Sequence, residues 1–473
     1  MTARGERWLL VLTPFAAMAA VGIGLRAGAS DRIVAATVYS APASGAGLGL
    51  AWQVVAFQVK GGTREPLARQ PLEVTARAAG ASTHWTGSTN DDGVAETQLP
   101  VPAADTVGIE VRAGGDILAQ GDARVPPRLE RSAQPVWMPF ARREGPILID
   151  VAVLGQRLAP GFPASIWVRA TDVTGARLSG VTFEPEADGS LVFAAPGSAT
   201  TAVGWGELTA TAAGFAVTLT LRAQAPDGRT GQWQGGLFTS PGAVQIDMRR
   251  RFAPDESPAI KLLAPTPRAT EYLEIDDAKG RVWAAATSLV RIPDGTGSAG
   301  AAAPPLPPGL YWVVAASDAG GATTLGPGTA TFPFFVAASD AAALRLGTDP
   351  SGCAEPAGAE QTARALGACL ALAAAGPVAR WTALDGFSEK NGKLRDKRLR
   401  GMTIAWGSIL VAMALETLLI LRAAARGRRR PPSPEGESHE EVLAMSRPLE
   451  GVVAVLVALL GFAVIAAFVL RWA

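Results

Sequence analysis

The sequence predicts a mainly β protein: three tandem β-sandwich domains, three transmembrane helices and a small helical juxtamembrane region. Three observations carry this. Across residues 33–337 apolar and polar residues alternate with period two, and Gly, Pro and Asp cut the alternation into short segments, as half-buried strands require. Three apolar runs, residues 8–25, 402–421 and 451–470, each have roughly the length that crosses a bilayer as a helix. The 473 residues are 48% hydrophobic and 18% charged, a balance that suits folded domains with membrane segments and argues against disorder.

Arg4 and Arg7 precede the first run, and Ala27-Gly28-Ala29 after it has the small-residue character of a signal-peptidase site. Residues 1–29 therefore read as a signal anchor or a signal peptide. The length of the run, at about 1.5 Å per helical residue, favours the uncleaved anchor. On either reading the following residues are exported.

The first block, 33–126, offers seven strand-like segments, the count of a β-sandwich. The turn Asn90-Asp91-Asp92-Gly93 joins two of them, its Gly free to take a positive φ. A second block covers 147–225 and a third 231–337, with linkers near 126–146 and 225–230. Strands led by Gly108, Gly206 and Gly309 recur at intervals of about one hundred residues, which supports three units. Trp52, Trp85, Trp137, Trp167, Trp205, Trp233, Trp283 and Trp312 are expected to fill sandwich cores; exposed ones would instead anchor a glycan or peptide.

Pro66-Leu67 leading to Pro71-Leu-Glu-Val-Thr-Ala, then Trp85-Thr-Gly-Ser-Thr-Asn-Asp-Asp-Gly-Val-Ala-Glu, resembles the strand-turn-strand pattern of macroglobulin-like and bacterial Ig-like β-sandwich domains. Pro307-Pro308-Gly309-Leu-Tyr-Trp-Val-Val resembles a strand of the same macroglobulin-like domains. The resemblance implies an extracellular sandwich fold over the three blocks. Protease-trapping macroglobulins carry a thioester motif of Gly-Cys-Gly-Glu-Gln type. Gly352-Cys353-Ala354-Glu355-Pro356 departs from it at the third and fifth positions, so the resemblance implies no thioester and no trapping.

After residue 337 the pattern turns to Ala-rich helix over 360–375, stopped by Gly376-Pro377, within a helical juxtamembrane region 338–400. Cys353 and Cys369 frame this change. In an exported segment they are expected to pair, closing a loop that contributes roughly 3 kcal/mol; the alternative is two thiols acting as small apolar residues. Lys390, Lys393, Arg395, Lys397, Arg398 and Arg400 make the approach to the membrane basic, readable as a solvated linker or as attraction to anionic lipid headgroups.

The topology places the N-terminus inside, the sandwiches outside, 402–421 returning inward, 422–450 as a cytoplasmic loop and 451–470 crossing again. The basic cluster at 390–400 opposes the positive-inside rule, but long domains translocate largely regardless of charge. Glu416 is the one ionisable residue within the three runs. It either reaches Arg422 at the inner interface or pairs with a polar or basic group on another subunit's helix.

The sequence holds two His and two Cys, a scarcity that removes most catalytic and metal chemistry. Gly295-Thr-Gly297-Ser-Ala-Gly300 spells a dinucleotide fingerprint but opens no helix. Asp91 and Asp92, or Asp276 and Asp277, have the oxygen chemistry for calcium, yet turn formation accounts for both pairs. A net charge of +1 gives no bulk attraction to nucleic acid. The expectation is a non-enzymatic bacterial inner-membrane protein without cofactor, catalytic site or metal, whose partners are membrane lipid and envelope protein. The alternative is a sensory protein coupling ectodomain binding to its short cytoplasmic loop.

Overall fold

The alternating segments become strands because each buries one face. In the computed structural model the described residues are 32–44, 49–60, 62–102, 104–125, 138, 141–187, 189–195, 200, 204–240, 242, 244–317, 328–347, 353, 359–373 and 381–427, with isolated positions 12, 13, 16, 19 and 22. Contacts divide the chain into two units, residues 36–57 with 66–385, and residues 1–35 with 58–65 and 386–473.

The first sandwich is built from β1 (Arg32–Pro42), β2 (Gly49–Lys60), β3 (Thr63–Pro66), β4 (Pro71–Ala78), β5 (Ala81–Ser88), β6 (Val94–Pro100), β7 (Thr106–Ala113) and β8 (Asp116–Arg124). One sheet has the order β5-β4-β7-β8; the other runs β1-β2-β3, with β6 also on β2. In β4 the period is plain: Leu72, Val74, Ala76 and Ala78 are buried while Pro71, Glu73 and Arg77 are exposed. At the turn before β6, Asn90 Oδ1 accepts from the backbone N–H groups of Asp92 (3.0 Å) and Val94 (2.9 Å). Gly93 sits there at φ 76°, and a Cβ on it would lie 2.5 Å from the Ala56 carbonyl oxygen.

The second sandwich uses β9 (Arg142–Glu144), β10 (Leu148–Val153), β11 (Pro163–Thr171), β12 (Thr182–Ala187), β13 (Leu191–Phe193), β14 (Trp205–Ala212), β15 (Val217–Gln224) and β16 (Thr230–Leu237). Its sheets are β10-β11-β14-β13 and β12-β15-β16-β9, closed over Ile149, Val151, Val168, Leu208, Leu219 and Trp233. β16 pairs along its whole length with β15, so this sandwich continues to Leu237. The stretch around Pro226-Asp227-Gly228, read from sequence as a linker, is the hairpin turn between them, with Gly228 at φ 86°.

The third consists of β17 (Gln245–Asp247), β18 (Arg251–Phe252), β19 (Ala259–Ala264), β20 (Arg268–Asp276), β21 (Arg281–Arg291), β22 (Gly297–Ala302), β23 (Gly309–Ala316) and β24 (Ala330–Val336). These form one ladder in the order β17-β19-β22-β21-β20-β23-β24-β18. β21 carries the ladder round a corner: its residues up to Leu289 pair with β20, while Val290 and Arg291 pair with β22. The folded sheet encloses Ile260, Leu262, Leu273, Ile275, Val313 and Phe334. Gly295-Thr-Gly297 is the turn into β22, so the nucleotide-like spelling belongs to a hairpin.

Beyond the sandwiches lie α1 (Asp340–Leu346), α2 (Ala359–Leu372), β25 (Trp381–Asp385) and α3 (Gly386–Gly427). Ser339 caps α1, its side chain accepting from the backbone N–H of Ala342. The region expected to be helical thus also contains a strand. β25 pairs antiparallel with β1, Thr37 opposite Asp385 and Ser40 opposite Trp381, so the first sandwich is completed by a segment that follows the third sandwich in the chain. Leu384 of β25 turns onto Gly121 of β8, where a Cβ would sit 3.0 Å from its Cδ1.

Candidate functional site

Of the residues singled out by sequence, Cys369 lies on α2, the six basic residues and Glu416 lie on α3, and Cys353 precedes α2. α2 is the Ala-rich helix, and small side chains on two of its faces let two sheets approach it. Ala365, Leu366, Cys369 and Leu370 pack with Phe335, Ala343, Leu344 and Cys353. Ala368, Ala371 and Leu372 pack with Ala152, Trp167 and Trp205. The helix is therefore a wedge between the outer faces of the second and third sandwiches.

Trp167 and Trp205 depart from the expected role. They lie outside the sandwich core because Trp167 alternates with the inward-facing Ile166 and Val168, and its opposite face is covered by α2. Trp233 does fill the second core, its ring lying along the strand over Gly235, where a Cβ would come within 2.8 Å of it. Trp312, on the outer face of the third sandwich, donates from Nε1 to the Ala373 carbonyl at 3.0 Å. Trp137 lies outside the described residues.

Charged pairs rim the seat of α2. The Arg250 guanidinium lies 5.3 Å from the centre of the Trp167 ring and donates from Nη2 to Glu207 at 2.7 Å. Arg169 lies 5.9 Å over Trp205, and Asp150 takes both Arg169 (2.8 Å) and Arg143 (2.7 Å). At Gly367 α2 lies close against the second sandwich: a Cβ there would meet the Trp167 ring and lie 2.6 Å from Arg250 Nη1. Cys353 and Cys369 are disulfide-bonded, both sulfurs against Gly347. A second joint links the first and third sandwiches. Arg281, 3% exposed, reaches Glu96 at 3.0 Å, and the Ser44 N–H donates to the Arg281 carbonyl at 2.9 Å.

One aspartate of each pair considered for calcium is engaged locally. Asp91 pairs with Arg69 at 2.6 Å, which holds its carboxyl below the usual range, and Asp277 Oδ1 accepts from Lys279 and Gly280 N–H within its own turn.

α3 is one continuous helix of 42 residues with no proline. Its first turns are polar, with Glu389 and Lys393 paired at 2.6 Å in the favourable i,i+4 order. Lys390 Nζ donates to the Val34 carbonyl at 2.5 Å. Lys393, Arg395, Lys397, Arg398 and Arg400 are exposed. The helix then becomes apolar without a break. Among the described residues it is the one helix long and apolar enough to cross a membrane. Of the other two expected spans, 451–470 lies outside the described residues and 8–25 does so apart from five isolated positions.

The apolar stretch is not uniform. Ala405, Ile409, Ala412, Glu416 and Leu419 are buried, whereas Ile404, Leu410, Val411, Leu415 and Leu418 are exposed. Steps of four, three, four and three residues make the buried set a single seam along the helix. Hydroxyls here satisfy themselves: Thr403 donates to the Leu399 carbonyl (2.9 Å), Ser408 to Ala405 (2.8 Å) and Thr417 to Met413 (2.7 Å). Glu416 cannot do this. It is fully buried on the seam, and neither carboxyl oxygen has a hydrogen-bond partner among the described residues. Arg422, the expected interfacial partner, is exposed and makes no contact with it among those residues.

No family model matches the chain, and no curated protein matches it. Solved structures do align. A tetra-tandem repeat from the extending region of a large adhesion protein is 16% identical over 65% of this chain and 75% of that one, with a TM-score of 0.16. Invasin, a bacterial integrin-binding protein, is 11% identical over 64% of this chain and 60% of its own, TM-score 0.16. Salmonella α2-macroglobulin is 10% identical over 64% of this chain and 23% of its own, TM-score 0.16. The neighbours are of the Ig-like adhesin and macroglobulin kinds that the strand motifs resembled. Nothing about activity or partner transfers at these scores, and the fold rests on the sheets themselves.

Proposed function

We propose that this chain is a non-enzymatic, membrane-anchored protein of the bacterial envelope whose exported sandwiches bind or space a partner protein, as a subunit of a larger membrane complex. The observation that carries this reading is the wedge. α2 inserts between two sandwiches through Trp167, Trp205 and Phe335, so those sandwiches are joined by buried side chains instead of flexible linkers. A joined array holds a fixed surface at a set distance, which suits a spacer or a docking platform. The apolar part of α3 is long enough to cross a membrane and supports the anchored reading; on that reading 422–450 is cytoplasmic and the sandwiches lie on the other side.

The test is purification of the tagged full-length protein from membranes in mild detergent, followed by mass spectrometry. A stable partner in fixed stoichiometry is the expected result; a monodisperse protein with none removes the subunit reading. The alternative, a sensor that couples ectodomain binding to the loop after α3, draws on one specific feature: β25 ends at Asp385 and α3 begins at Gly386. Ligand-dependent modification or recruitment at that loop would favour it.

A further inference from the structure

Charge on α3 is concentrated where the helix changes from polar to apolar, and its distribution round the axis says what it meets. At about 1.5 Å per residue, Arg400, Arg398, Lys397 and Arg395 stand roughly 3, 6, 7.5 and 10.5 Å before Met402. The headgroup layer is about 5–7 Å deep on each side of the hydrocarbon, and the Debye length is about 8 Å. These four are therefore within electrostatic reach of lipid phosphates. Lys393 and Lys390 stand farther off and are engaged, one with Glu389 at 2.6 Å and the other with the Val34 carbonyl at 2.5 Å.

At about 100° per residue the four near charges leave no sector of the helix wider than about 140° without a cation. All four side chains are exposed, and Asp396, also exposed, is the one carboxylate among them. A protein partner covers one side of a helix. A ring of cations matches a ligand that surrounds the helix, and lipid headgroups do.

We propose that Arg395, Lys397, Arg398 and Arg400 form a collar selective for anionic phospholipid headgroups in the leaflet that α3 enters at Met402. The inference rests on the reading that α3 crosses the membrane. It narrows the six basic residues to four and arranges them as a ring round the helix. The collar concentrates anionic lipid round α3 and fixes how far the helix sinks into the bilayer.

The test reconstitutes the full-length protein into phosphatidylcholine vesicles carrying spin-labelled phosphatidylglycerol or spin-labelled phosphatidylcholine, and measures the motionally restricted fraction of each. The expected result is a preference for phosphatidylglycerol of about fivefold, falling towards unity in high salt. The same loss is expected when Arg395, Lys397, Arg398 and Arg400 are all changed to Gln. Lys390→Gln with Lys393→Gln leaves the preference in place. A wild-type ratio near one, or a preference that survives the four-residue change, overturns the collar. Absence of any restricted lipid overturns the membrane reading itself. If the four-residue variant fails to insert, the wild-type ratio and its salt dependence still decide.

Discussion

Trp312 Nε1 donates to the carbonyl oxygen of Ala373 at 3.0 Å, tying the outer face of the third sandwich to the end of α2. The carbonyls of a helix's last turn have no partner within the helix, so this one depends on the indole. Trp312→Phe keeps most of the apolar surface and orphans a buried acceptor. Its expected cost is about 1–3 kcal/mol, read as a lowered Tm of the full-length protein in detergent. An unchanged Tm would mean that α2 is held without it.

Gly367 provides a sharper test of the wedge. A Cβ at this position would run into the Trp167 ring and Arg250, so Gly367→Ala forces a side chain into occupied space. Overpacking of this kind costs about 1–3 kcal/mol. Hydrogen exchange should quicken in α2 and in β10 and β11 while β4 and β7 of the first sandwich keep their protection. Equal protection throughout would show that α2 does not bear on the second sandwich.

Reduction of Cys353–Cys369 should destabilise the same region. The bond closes a loop with a sequence separation of 16, for which the chain-entropy model gives about 3 kcal/mol. Cys353→Ser with Cys369→Ser should lower Tm by an amount that reductant reproduces in the parent protein. If reductant leaves the parent's Tm unchanged while free thiols become titratable, the staple contributes nothing.

Alkaline pH should unfold the third sandwich before the others. Tyr311 is 4% exposed, stacks on Phe334 with ring centres 5.6 Å apart, and donates its hydroxyl to the Pro307 carbonyl at 2.8 Å. Burial pushes its pKa up to about 12. Because the folded value lies above the unfolded one, the stabilisation is intact below pH about 10 and is lost as pH rises towards 12. The loss is on the order of 2–3 kcal/mol, and Tyr311→Phe should flatten this part of the stability-against-pH curve. An identical alkaline decline in Tyr311→Phe would assign it elsewhere.

The strands were legible because their signal is local. Leu72, Val74, Ala76 and Ala78 alternate within one segment, and that alternation alone specifies which face is buried. β25 was not legible, since Trp381–Asp385 becomes a strand by pairing with Thr37–Ser40, more than three hundred residues earlier. The wedge had a trace in the sequence. Ile166-Trp167-Val168 places three large apolar residues in succession, and a strand with one solvated face does not do that. What covers Trp167 depends on the fold, and only α2 supplies the answer. On α3 the chemistry was legible from residue types alone. That Glu416 belongs to the buried seam, and Arg422 to the exposed surface, required the burial of each turn.

Glu416 yields the most exacting prediction. Ala405, Ile409, Ala412 and Leu419 share its seam and are apolar, and the helix's own hydroxyls are satisfied by its backbone. Acidic residues at the centre of a membrane helix cost about 2.5–3.5 kcal/mol on insertion scales, so a carboxyl kept there is expected to have a partner. On the subunit reading that partner is a polar or basic group on another protein's helix. Glu416→Gln keeps hydrogen-bonding capacity and should retain most of the partner. Glu416→Leu should leave insertion and the sandwiches intact while partner retention falls about threefold to twentyfold, the range that a single membrane hydrogen bond of about 0.6–1.7 kcal/mol supports. Quantitative co-purification of the three proteins from equal amounts of membrane measures it. If Glu416→Leu retains the same partners in the same amounts, no such intramembrane contact exists, and the carboxyl is a feature of the seam alone.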